Sequence, residues 1–94
     1  KSYRPVAMAI AAALPAEHGC VAERNLGNTQ RASLAYFIGI EPLAADSAEG
    51  RKCNWVVVTG DTRPELAAPD GKWTRVWEGS RPGERKEKFR LYRR

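Results

Sequence analysis

Ninety-four residues make one small domain with a modest core. Hydrophobic residues at 43% and charged residues at 29% exclude a disordered chain, a collagen and a coiled coil. The net charge of +5 favours an acidic partner but says nothing about fold.

Segment 4–17 reads as a helix. Pro5 suits the first turn, where a missing N–H costs nothing. Val6, Ile10 and Leu14 recur every four residues, with Ala9 and Ala13 beside them. Lys1 and Arg4 before the apolar run 5–14 imitate the front of a secretory signal, but 15–20 is a poor cleavage site. Ten apolar residues are too short to span a bilayer. The expectation is a cytoplasmic protein with no membrane partner.

Segment 20–38 is helical in character and is broken by Gly27-Asn28. It divides into helices at about 20–26 and 29–38. Gly27 would close the first, Asn28 or Thr29 would cap the second, and Gly39 would end it. Residues 41–52 read as a loop. Then the period changes, and Cys53-Asn-Trp-Val-Val-Val-Thr59 reads as a buried strand. Residues 61–71 form a loop ending in the turn signal Pro69-Asp70-Gly71. Strands follow at 72–78 and 86–92, the second with strict alternation, joined by the turn Gly79–Gly83.

This order predicts an α+β domain: three N-terminal helices (4–39) packed on a three-stranded antiparallel meander (53–93), in one domain spanning 1–94. Val6, Ile10, Leu14, Leu26, Leu34, Phe37, Trp55, Val57, Val76, Phe89 and Leu91 are the expected core. Strand 86–92, last in the chain, is expected at a sheet edge, where it could take a partner strand or pair with its own copy. Cys20 and Cys53 fit either two buried thiols in a reducing cytosol, the favoured reading, or a disulfide in an exported chain.

The charge is unevenly placed. Residues 1–80 are neutral as a set, whereas Arg81, Arg85, Lys86, Lys88, Arg90, Arg93 and Arg94 face only Glu84 and Glu87 in the last fourteen. That cluster is either a phosphate grip or a solvated edge. Helix 20–26, turn 27–28 and helix 29–38 have the lengths of a helix-turn-helix. The second helix would offer Thr29, Gln30, Arg31 and Ser33 to base edges. Hairpin 72–92 would then be a wing carrying Arg81, Arg85, Lys86, Lys88 and Arg90 to phosphate. In element order alone this resembles the winged-helix class, which implies a small DNA-binding regulator.

Other constellations are weaker. Trp55, Trp73, Arg75 and Trp77 could stack bases, but large aromatics in so small a chain more often build the core. His18 stands alone at a helix end. Asp61, Glu65 and Asp70 share a loop without calcium-loop spacing, and no glycine-rich phosphate loop exists. No enzyme, cofactor or metal is expected. The expected function is non-enzymatic binding of nucleic acid, double-stranded DNA first. The alternative is an inhibitor or adaptor meeting an acidic protein surface through its sheet edge.

Overall fold

The computed structural model describes residues 2–94. Lys1, read above with Arg4 as a charged flank, lies outside the described residues. The elements are α1 (Arg4–Ala13), β1 (Val21–Arg24), α2 (Asn28–Ile38), β2 (Leu43–Ala44), a 3-10 turn (Gly50–Lys52), β3 (Trp55–Gly60), α3 (Arg63–Leu66), β4 (Thr74–Gly79) and β5 (Lys88–Arg93). They build a five-stranded mixed sheet in the order β2-β1-β3-β5-β4.

This overturns the winged-helix arrangement. Segment 20–26 is not a helix, because Val21–Arg24 pairs in parallel with β3 from Val21↔Trp55 to Arg24↔Val58. Val21, Ala22 and Glu23 are all buried, so tertiary pairing overrides the helix propensity of Ala, Glu and Arg. With β1 a strand, α2 becomes the crossover of a β-α-β unit that leads into β2, which also pairs in parallel with β1. Gly27 is the N-cap of α2 in extended backbone, and the left-handed residue at this corner is Asn25, at φ 69°. Gly39 does close α2, in the left-handed conformation at φ 68°.

The meander is also corrected. β3 and β5 are direct neighbours, paired from Trp55↔Arg93 to Gly60↔Lys88. The last strand is therefore interior, and the edge falls to β4. The loop after β3 carries α3, capped by a reciprocal Thr62–Glu65 box.

Both faces of the sheet are covered, which explains the unbroken apolar run of β3. On one face α1 and α2 bury Val6, Ile10, Leu14 and Leu34 against Trp55, Val57, Phe89 and Leu91. On the other, Val56, Val58, Ala22 and Tyr92 lie under Ala45, Ala68 and Trp73. Most of the expected core is buried. Phe37 is only partly buried, and Val76 is 39% exposed because it sits at a bulge on the edge strand. Cys20 and Cys53 are joined in a disulfide across Cα atoms 5.2 Å apart, so the buried-thiol reading is replaced. The bridge ties the chain entering β1 to the chain entering β3, where the parallel pair starts.

Candidate interaction site

The basic hairpin is held from below by one carboxylate. Glu87 lies just before β5 and is partly buried. Its Oε2 accepts from Tyr3 Oη at 3.2 Å and from Gln30 Nε2 at 2.9 Å, while Oε1 accepts from Arg81 Nε at 3.1 Å. The Arg81 guanidinium also stacks 4.2 Å from the centre of the Tyr3 ring, and Tyr3 meets Phe89 edge-on at 6.0 Å. The N-terminal end of α1, the first turn of α2 and the β4–β5 loop are thereby fixed to one another. Arg85 and Lys86 lie on this braced loop and are exposed.

The other cations of the last fourteen residues divide. Arg90 donates from Nε to Glu78 Oε1 at 2.6 Å and from Nη1 to Tyr92 Oη at 3.4 Å. The bond from Arg90 lowers the pKa of Glu78, while the bonds to Tyr92 and Glu78 raise that of Arg90. Arg94 Nη2 donates to the carbonyls of Arg51 and Cys53, and its guanidinium lies 4.4 Å from the Trp73 ring centre. Lys88 and Arg93 are exposed at opposite ends of β5. Arg81, Arg90 and Arg94 thus have internal work, whereas Arg85, Lys86, Lys88 and Arg93 keep their charge at the surface.

The residues expected to read bases are placed differently. Gln30 is committed at both ends, accepting from the Gly27 amide at 2.7 Å and donating to Glu87. Arg31 faces back toward β1, donating from Nη1 to the Leu26 carbonyl at 3.0 Å and to Glu23 Oε2 at 3.4 Å, and from Nη2 to Asn28 Oδ1. It neutralises Glu23, which is only 8% exposed and also accepts from the Leu26 amide. Ser33 Oγ returns to the Thr29 carbonyl at 2.8 Å, and Thr29 is exposed. So α2 spends its polar residues on its own anchorage.

The remaining candidates also have local roles. Glu65 Oε2 accepts from the amides of Asp61 and Thr62, which lowers its pKa, and Asp70 closes a turn to the Lys72 amide. Trp55 is buried on the helix face, Trp77 packs against the same cluster and Trp73 lies on the other face, so the three indoles form no single platform. An open polar cleft of about 390 Å³ lies between the hairpin and the carboxyl ends of β1 and β3, with Asn25, Gln30, Asp61, Glu65 and Glu87 among its walls. Sequence reasoning missed Glu87, which looked like mere dilution of a basic run. Its only signal was an acid flanked by cations immediately before an alternating strand.

No helix among the described residues is long and apolar enough to cross a membrane. No protein-family model, curated protein or solved structure matches the chain.

Proposed function

We propose that the chain is a non-enzymatic binding domain that docks an acidic protein surface on its braced hairpin, in an oxidising compartment. The observation that carries this reading is the Glu87 anchorage. It holds the β4–β5 loop against both helices and so presents Arg85 and Lys86 with little ordering left to lose on binding. Electrostatic attraction of this kind sets encounter rate and orientation. The disulfide supports the compartment, since such bonds persist where thiols are oxidised.

Nucleic acid is the second reading, supported by the same exposed cations. Against it, Gln30 and Arg31 are occupied within the fold, which leaves backbone contact without base readout.

Titration with poly-glutamate and with a DNA duplex, each against the wild type and an Arg85→Ser/Lys86→Ser variant, tests both. Poly-glutamate binding that weakens about tenfold in the variant is expected from the loss of two surface charges. Equal binding by the variant, or no binding of either polymer at low salt, overturns the hairpin as the site. Sequence-selective duplex binding stronger than poly-glutamate binding overturns the choice of partner. Free thiols at Cys20 and Cys53 in freshly lysed source cells would overturn the compartment.

A further inference from the structure

β4 hydrogen-bonds to β5 along one side, and its other side is an edge of the sheet. The opposite edge, β2, is only two residues long. Edges are commonly blunted by bulges and charge. Here the bulge has a further effect. Arg75 lies opposite Tyr92 and Glu78 opposite Arg90, with the register shift between Arg75 and Trp77. Tyr92 and Arg90 are two apart on one strand and bond to each other, so they share a face. Arg75 and Glu78 therefore share that face although they are three apart, and they meet directly at 3.2 Å.

In a regular strand, residues three apart point to opposite faces, whereas directly opposed residues of an antiparallel pair point the same way. Two copies of a regular strand could not set position i against i+3 around a two-fold axis. The bulge removes that prohibition. With the axis between Val76 and Trp77, Arg75 of each copy lies opposite Glu78 of the other, and Val76 lies beside the other copy's Trp77. Each contact occurs twice, as an isologous interface requires. Val76 is 39% exposed and Trp77 is half-buried, so both keep apolar surface for a partner to cover.

We infer that β4 is a self-complementary edge through which two copies of the chain join, antiparallel, into one continuous sheet. The bulge sets the register, and the charges select a copy of the same strand over an arbitrary one. This stands apart from the hairpin reading, because Arg85 and Lys86 take no part in it.

Sedimentation over a concentration series, together with amide exchange at its two ends, tests the inference. The wild type is expected to dimerise as concentration rises, with the amides of β4 gaining protection. Val76→Lys, at an exposed position, is expected to stay monomeric at every concentration while keeping the wild-type melting point at high dilution. A wild type that remains monomeric up to about 1 mM overturns the inference. So does a Val76→Lys variant that dimerises as strongly, or a dimer whose new protection lies outside β4. If the variant fails to fold, the concentration dependence of β4 protection in the wild type decides alone.

Discussion

Gln30 Nε2 donates to Glu87 Oε2 at 2.9 Å, joining the first turn of α2 to a residue 57 positions later. The same carboxylate holds Tyr3 and Arg81. Replacing Glu87 by Ala is expected to cost about 1–2 kcal/mol, the range for a partly buried, charge-assisted cluster. Amide exchange should accelerate across 80–87 and at the start of α1 together. Acceleration confined to the loop would show that the carboxylate does not couple the elements.

Arg31 serves stability. Arg31→Ala leaves the buried Glu23 carboxylate with the Leu26 amide and frees the Leu26 carbonyl. Arg31 is itself 40% exposed, so solvent moderates the loss to about 1–2 kcal/mol. Urea denaturation should show it, while affinity for poly-glutamate stays at the wild-type value.

Reduction of the Cys20–Cys53 bridge releases a constraint spanning 33 positions. The chain-entropy relation gives a loss of roughly 3–4 kcal/mol for a loop of that size. Urea midpoints with and without reductant measure it, and a Cys20→Ala/Cys53→Ala variant should match the reduced protein.

Glu78 gives a pH dependence of known sign. Its bond from Arg90 places its folded-state pKa below the ordinary glutamate value. The unfolded chain therefore takes up the proton first as pH falls. The stabilisation is complete above the unfolded value, about 4.3, and is lost as pH drops through the folded one. Glu78→Gln should flatten the fall in melting temperature below about pH 5 and leave the slope near neutrality unchanged.

The sequence carried the parts of the fold that depend on local chemistry. Pro5 and the four-residue spacing placed the start of α1, which ends at Ala13 and not at 17; Gly39 placed the end of α2; and alternation in 86–92 placed β5, which begins at Lys88. β1 was hidden because Ala22, Glu23 and Arg24 favour helix, and only pairing with β3 makes them a strand. Missing it turned a β-α-β unit into a helix-turn-helix, and strand order then went wrong as well. The basic hairpin was legible as charge. Its anchorage was not, since Glu87 finds Gln30 and Tyr3 at separations of 57 and 84 positions, beyond any local pattern. Two cysteines 33 positions apart favoured buried thiols over a bridge, and only the fold, which brings their Cα atoms to 5.2 Å, reverses that.

The interior position of β5 bears on what a single backbone cut would do. Arg85 and Lys86 are exposed ahead of a strand that is hydrogen-bonded on both sides, so a cut by trypsin can fall there without removing the strand from the sheet. A cut after Arg85 leaves a segment beginning at Lys86 whose strand is seated between β3 and β4, with Phe89 and Leu91 buried and Arg94 bonded to the Cys53 carbonyl. The two pieces should stay together after cleavage and separate only in denaturant. Remixed, they should form a complementing pair in which β5 acts as a removable central strand.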